Sequence, residues 1–292
     1  MATILVVCST GSLGTSVVKR LTSARRQVTA LVRDISTDKA KELKSAGAGL
    51  VVGDLKFRPA LDEALNGIDM VLCTASSTMS RQAGDSIETV DWEGVQNLIA
   101  AAEIANVGRF VFISFSRNIL DDFPLSAAKR AAEKRLESSA LDYTLLLPSY
   151  FAETWFSPAV GFDAGNGRIR IYGDGKAKVS YVALGDVAKA AITCLDNPNA
   201  SRQAIAIGGP KAISQLDAVA LAEKATGRKM QVEFMTGDEI AAARKDTNDS
   251  LMASFLGLFD SLARGDEIPA GWVETLGVDP QSMEDWIPKS LK

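Results

Sequence analysis

The chain contains no histidine. Imidazole is the usual proton carrier near neutral pH and a frequent zinc ligand, so Ser-His-Asp and Cys-His nucleophilic systems are excluded from this chain alone. Acid–base chemistry must come from lysine, tyrosine, a carboxyl group, a hydroxyl, water or a cofactor. Cysteine is scarce: there are 3 in 292 residues, Cys8, Cys73 and Cys194, with no metal-binding spacing and no disulfide framework. Cys8 and Cys73 stand in apolar runs and read as small buried hydrophobes. No apolar run is long enough to span a bilayer, and the start MATILVVCSTG lacks the basic and long apolar segments of a secretory signal. The expected location is the cytoplasm, with no membrane partner. An excess of one charge sign is missing too: 32 Lys plus Arg stand against 36 Asp plus Glu, a net charge of -4. The basic pairs are scattered, so no nucleic-acid partner is expected, and no metal site.

What is present is an ordinary globular balance, 47% hydrophobic and 23% charged. The first half alternates short apolar runs with helical patterns. The runs are Thr3 to Cys8, Val28 to Val32, Leu50 to Val52, Met70 to Cys73, Phe110 to Phe115 and Tyr143 to Leu147. Each is almost wholly apolar, as strands covered on both faces of a parallel sheet are. Helical patterns follow Gly14 (Val17, Val18, Leu21), cover Ser36 to Ala46, surround Leu61 and Leu65, and run over Trp92 to Ala105 and Ser126 to Ser138. This alternation predicts an α/β fold, a doubly wound parallel sheet of the Rossmann-like kind, with a small C-terminal substrate lobe. The expected domains are 1–150 for nucleotide binding and 151–292 for the lobe, with 179–207 able to rejoin the main sheet. In the lobe, 149–167 reads as irregular. Short strands are expected at Ile169 to Ile171 and Val179 to Val182, and a strand-helix-strand unit over Ala204 to Met235. A strongly apolar helix covers Leu251 to Leu262 and a short one Met283 to Ile287. No paired-carboxylate site stands out; Asp121-Asp122 reads as solvent-facing or helix-capping.

The segment Cys8-Ser9-Thr10-Gly11-Ser12-Leu13-Gly14 follows a strand and opens a helix. Gly11 lets the chain approach a pyrophosphate, Gly14 lets the helix pack on the sheet, and the helix N-terminus offers N–H groups to the anion. Thr10, Ser12 and Thr15 are candidate hydroxyl partners. Arg33 closes the second strand, where such folds face the adenosine ribose, and its planar fork matches a 2′-phosphate. The expected cofactor is therefore NADPH/NADP, with adjacent Asp34 the competing reading in favour of NAD. Asp54 follows the third strand and is placed to accept from an adenine amino group, with Leu55 against the ring.

The glycine loop, Arg33, Gly53-Asp54-Leu55 and the run Leu141-Asp142-Tyr143-Thr144-Leu145-Leu146-Leu147-Pro148 together resemble the atypical short-chain dehydrogenases/reductases of the NmrA-like, isoflavone-reductase-like group. That group includes isoflavone and pinoresinol-type reductases, NADPH-dependent quinone reductases and non-catalytic nicotinamide-sensing regulators. The resemblance covers most of the chain and extends to IYGDGKAKVSYVALGDVAKAAITCL. It implies a catalytic role for Lys129, which matches the family lysine and would touch the nicotinamide ribose or polarise a carbonyl. Ser114 and Ser116 flank the fifth strand's end, towards nicotinamide and substrate. Ser76 and Ser77 line the pyrophosphate and ribose path. Tyr150 and Phe151 stand where relatives place nicotinamide- and substrate-facing residues, Tyr150 as a substitute acid. Trp155, Phe156, Phe255 and Phe259 are candidates to enclose a hydrophobic substrate, with packing within the lobe the equal alternative. Two departures stand out: Cys8 occupies the first glycine position of the family loop, and Leu125 stands where a Tyr-x-x-x-Lys motif would have its tyrosine. The expected function is NADPH-dependent reduction of a hydrophobic or aromatic carbonyl, quinone or enone by a monomer or homodimer. The alternative is a non-catalytic NADP(H)-binding sensor or scaffold.

Overall fold

The computed structural model describes residues 2–79, 82–120 and 122–291, so Asp121 lies outside it. In chain order come β1 (Thr3–Val7), α1 (Ser12–Ser23), β2 (Gln27–Val32), α2 (Asp38–Ser45), β3 (Gly49–Val52), α3 (Arg58–Ala64) and β4 (Met70–Cys73). A π-helical stretch, Ile87–Gly94, then runs into α4 (Val95–Ile104), followed by β5 (Arg109–Ile113), α5 (Pro124–Glu137) and β6 (Tyr143–Pro148). The second half holds α6 (Ala152–Trp155), β7 (Phe162–Asp163), β8 (Arg168–Tyr172), β9 (Lys178–Val179), α7 (Leu184–Asp196), β10 (Gln203–Ile207) and β11 (Ile213–Ser214). It ends with α8 (Gln215–Thr226), β12 (Gln231–Met235), α9 (Gly237–Asp246), α10 (Ser250–Arg264), α11 (Gly271–Leu276) and α12 (Met283–Ser290).

The main sheet has the order β10-β6-β5-β4-β1-β2-β3. Neighbours from β3 to β6 are parallel, with Val6 opposite both Ala30 and Leu72. This is the doubly wound α/β arrangement. The inner strands bury on both faces, Ile4 to Val7 and Phe110 to Phe112 completely, which is why they read as unbroken apolar runs. Helix α1 covers the sheet with Gly14, Val17, Val18 and Leu21, an i, i+3, i+4, i+7 stripe. Strand order reverses between β1 and β4, the switch point beyond whose carboxyl ends ligands of such open sheets bind.

By contact density the chain forms two compact units, each made of separate stretches. One comprises residues up to Ser114, Ala127–Leu146 and Ala188–Ile205; the other comprises Phe115–Ser126, Leu147–Val187 and residues from Ala206 onward. The second unit carries a three-stranded sheet, β12-β8-β7, and an antiparallel pair, β11-β9. The strand-helix-strand unit expected over Ala204 to Met235 does not form: β10 joins β6 in the main sheet, whereas β12 runs parallel to β8. Strand partners depend on distant segments that a local pattern does not name. The expected strand Val179 to Val182 shortens to Lys178–Val179, with Val182 bridging Phe151. The stretch 149–167, read as irregular, contains α6, a 3-10 turn at Pro158–Val160 and β7. Among the described residues no helix is long and apolar enough to cross a membrane.

Candidate functional site

The turn after β1 is built around two backbone demands. Cys8 has φ +57°, the left-handed region that favours glycine. Its carbonyl accepts from the Gly11 N–H at 3.0 Å, and the Thr15 N–H donates to the Gly11 carbonyl at 2.8 Å. A Cβ at Gly14 would lie 2.3 Å from the Cys8 oxygen and 2.8 Å from the Ser9 Cα, so only glycine lets α1 begin this close to β1. The Ser9 hydroxyl donates to the Leu31 carbonyl at 2.7 Å, fastening the loop to β2. The α1 N-terminus has no side-chain cap and no acidic residue in its first turn. Gly11 and Ser12 are exposed, with Thr10 and Leu13 half-buried beside them. The helix therefore presents unused N–H groups and the positive end of its dipole to solvent.

Arg33, beyond β2, is exposed and donates through Nη1 to Asp85 Oδ2 at 2.6 Å. Lys56 donates to the other Asp85 oxygen and lies 3.3 Å from Asp54 Oδ2. Asp54 Oδ1 accepts the Lys56 N–H at 2.9 Å, and Asp34 Oδ1 the Ser36 N–H at 2.7 Å, so both carboxylates order their own turns. Leu55 is buried against Gly94, where a Cβ would come within 2.8 Å of its own.

Lys129 is no solvated helix lysine: it is 4% exposed. Its Nζ donates to the Ala75 carbonyl at 2.6 Å and, more weakly, to the Ile113 carbonyl at 3.4 Å, just beyond β4 and at the end of β5. It lies 5.0 Å from the Phe112 ring centroid and 3.7 Å from Asp91 Oδ1. Asp91 is fully buried on the π-helical stretch, a kind of helix that recurs at functional sites. Its Oδ2 accepts the Ser77 N–H at 2.9 Å and the Ser77 hydroxyl at 2.6 Å, while Oδ1 has no hydrogen-bond partner among the described residues. Ser77 thus orients Asp91, and Ser76 is exposed, 3.1 Å from the Thr78 hydroxyl. Buried Ser114 donates to Glu133 at 2.5 Å, a carboxylate that also pairs with Arg130.

In the second unit, buried Ser116 donates to Asp266 Oδ1 at 2.7 Å, and Asn118 Nδ2 donates to the same oxygen at 2.9 Å. The Tyr150 hydroxyl donates to the Leu258 carbonyl at 3.1 Å, and burial raises its pKa well above the ordinary 10.0, so the phenol holds its proton tightly. The aromatic side chains pack on one another. Trp155 meets Tyr150 edge-on at 4.7 Å and Phe259 at 5.9 Å, Phe259 stacks on Tyr172 at 3.9 Å, and Phe156 lies 4.6 Å from Tyr181. Phe255 extends the row at 6.2 Å from Phe259, and Phe151 is half-buried where it bridges Val182. The cavity lined by Trp155, Phe156, Tyr172 and Tyr181 measures about 20 Å³, room for one water and not for an aromatic ring.

The sequence profile of the NAD(P)H-binding family matches residues 9–198, from the glycine loop through α7. The chain belongs to the NAD(P)H-binding family. A photosystem II assembly factor, Ycf39 of Trieres chinensis, is 32% identical over 231 residues, 78% of this chain and 70% of that protein. An NAD(P)H azoreductase of Xenophilus azovorans is 29% identical over 247 residues, 82% and 79% of the two chains. Among solved structures, an NADPH-dependent quinone oxidoreductase of Escherichia coli complexed with NADPH superposes with a TM-score of 0.81 at 21% identity, covering 99% of this chain and 100% of that one.

The residues of this NAD(P)H-binding protein fit a dinucleotide: a glycine that no side chain can replace, Gly14, stands in the first turn of a helix whose N-terminus is uncapped, and two cations, Arg33 and Lys56, stand beyond β2 and β3. Three of its charged residues escaped the sequence reading. Lys56 and Asp85 look like ordinary surface charges until the fold brings them to Arg33. Asp91 left a signal, since it shares a helical face with Val95, Leu98 and Ala102, where an acid is out of place.

Proposed function

We propose that this NAD(P)H-binding protein is an NADPH-dependent reductase of the NmrA-like, isoflavone-reductase-like kind, acting on a small hydrophobic or aromatic carbonyl, quinone or enone. The buried ammonium of Lys129 beside β4 and β5 carries this reading. The α1 N-terminus with Thr10 to Gly14 would hold the pyrophosphate, Arg33 and Lys56 the 2′-phosphate, and Asp54 the adenine edge. Ser76 and Lys129 would face the nicotinamide ribose. When bound there, a nicotinamide would be the source of hydride for the acceptor carbon. An ammonium has three N–H bonds; the carbonyls of Ala75 and Ile113 take two of Lys129's, leaving one for the acceptor oxygen as it gains charge. Asp91, held by Ser77, lies 3.7 Å from that ammonium and positions it. Tyr150 has no part in proton transfer in this reading, because its hydroxyl is spent on Leu258.

Fluorescence titration with NADPH and NADH tests the binding step, with an expected NADPH preference of at least about tenfold, roughly 1.4 kcal/mol. Equal affinities would point to Asp34 and remove the 2′-phosphate assignment. Lys129→Met should lower NADPH oxidation by quinones and enones by about 10²–10⁴-fold. Unchanged turnover in that variant would take the lysine out of the mechanism.

A second reading, a nicotinamide-binding factor that works through a protein partner without catalysis, is favoured by the relatives named as photosystem II assembly factors, at 32% and 30% identity. It predicts tight NADPH binding with no turnover of any carbonyl, quinone or enone.

A further inference from the structure

Asp85 occupies an unusual position for a loop carboxylate. Its side chain is 2% exposed, although two cations that hold it reach solvent, Arg33 at 37% and Lys56 at 27%. Each cation takes a different oxygen: Arg33 Nη1 binds Oδ2 at 2.6 Å, and Lys56 Nζ binds Oδ1. Two anionic oxygens on one central atom, gripped by a guanidinium on one side and an ammonium on the other, are what a phosphate monoester also presents to such a pair. The three residues come from three separate places in the chain: the end of β2, the turn after β3, and the loop before the π-helical stretch. The loop is therefore brought to the cations by tertiary structure rather than by neighbouring sequence.

We propose that Asp85 is an internal occupant of the anion seat formed by Arg33 and Lys56, and that it must release both cations before the seat takes an adenosine 2′-phosphate. The inference rests on the reading above, in which this seat faces the adenosine ribose. The argument is electrostatic. Two cations held close together repel unless an anion lies between them; Asp85 is the carboxylate that bridges both, while Asp54 lies 3.3 Å from Lys56. A 2′-phosphate carries more charge and more acceptor oxygens, but it gains only the difference between its own contacts and those Asp85 gives up. The displaced carboxylate must also find new partners or water. Only the fraction of molecules with Asp85 withdrawn is competent for the phosphate, and apparent affinity falls by that fraction. NADH, which has no 2′-phosphate, is not subject to this competition. Asp85 therefore narrows the preference for NADPH, and neutralising it should widen that preference.

Two small probes separate this step from the rest of the dinucleotide: adenosine 2′,5′-bisphosphate and adenosine 5′-monophosphate, titrated calorimetrically against the full chain. Asp85→Asn should bind the bisphosphate on the order of tenfold more tightly than wild type, with a steeper loss of affinity in added salt, and should bind the monophosphate within about twofold of wild type. Asp85→Ser, which removes the carboxylate with less bulk, should do the same, and a thermal melt of each variant reports whether it is folded. If wild type prefers the bisphosphate and loses that preference in Arg33→Ala, while both folded Asp85 variants bind it no more tightly, the competition is refuted and the cofactor assignment stands. If wild type and Arg33→Ala do not distinguish the two probes, the seat is not the 2′-phosphate site and both readings fall. Weaker NADH binding by Asp85→Asn would instead make Asp85 a partner of the ribose 2′-hydroxyl, which also overturns the proposal.

Discussion

Cys8 shows how one residue can be legible as a letter and illegible as a conformation. Its identity marks it as a departure in the glycine loop, but only the folded turn shows it at φ +57°, where a side chain is strained. Left-handed backbone costs an L residue about 1–2 kcal/mol, and glycine returns part of that through its greater unfolded-state entropy. Cys8→Gly should therefore raise stability by about 0.5–1 kcal/mol, read from denaturant midpoints at constant slope. A loss of stability instead would mean that thiol burial outweighs the strain. Lys129 is the converse case. The family resemblance singles it out, but its neighbours Arg130 and Lys134 are equally basic, and only tertiary contact with Ala75, Ile113 and Asp91 makes it a buried charge.

Elements differ in how far local pattern specifies them. Strand β1 and helix α1 were readable because their apolar periods are clean and the glycine loop punctuates them. Their junction has no tolerance: with 2.3 Å between a Cβ at position 14 and the Cys8 carbonyl, Gly14→Ala must push α1 off β1. Overpacking of this kind costs about 1–3 kcal/mol, and the displaced helix N-terminus should lose nicotinamide binding as well. A lowered thermal midpoint together with absent NADPH fluorescence enhancement is expected; unaltered binding would show that the loop does not hold the pyrophosphate. The π-helical turn at Ile87–Gly94, which carries Asp91 to Ser77, is not legible in the sequence, since its period differs little from that of an α-helix. Strands β10 and β12 are legible as strands, but the sheets they join are not, because their partners, β6 and β8, come from elsewhere in the chain.

At the scale of the whole molecule, the lack of histidine removes the main group that titrates between pH 5 and 8, so stability should be nearly flat there. It should fall in base. Burial pushes the Cys73 and Cys194 thiols from an ordinary 9.0 up to about 12, and Tyr172 from 10.0 to about 12. The unfolded chain releases these protons from about pH 9 upward, whereas the folded chain holds them to about 12, so the unfolded state binds fewer protons across that window and stability declines as pH rises. Urea midpoints should drop between pH 8 and 10.5; a flat profile would mean that these groups are hydrated in the native state.

The layered class, the parallel strands and the glycine-rich turn after β1 follow from sequence alone, because apolar period, glycine position and strand-to-helix rhythm are local properties fixed by backbone geometry. Tertiary structure alone decided which charges meet. The pairing of Arg33 and Lys56 with Asp85, the burial of Lys129 beside Asp91, and the packing of Trp155 on Phe259 and of Phe156 on Tyr181 all join segments far apart in the chain. Electrostatic and packing energies depend on distance in space, and no distance along the chain encodes them.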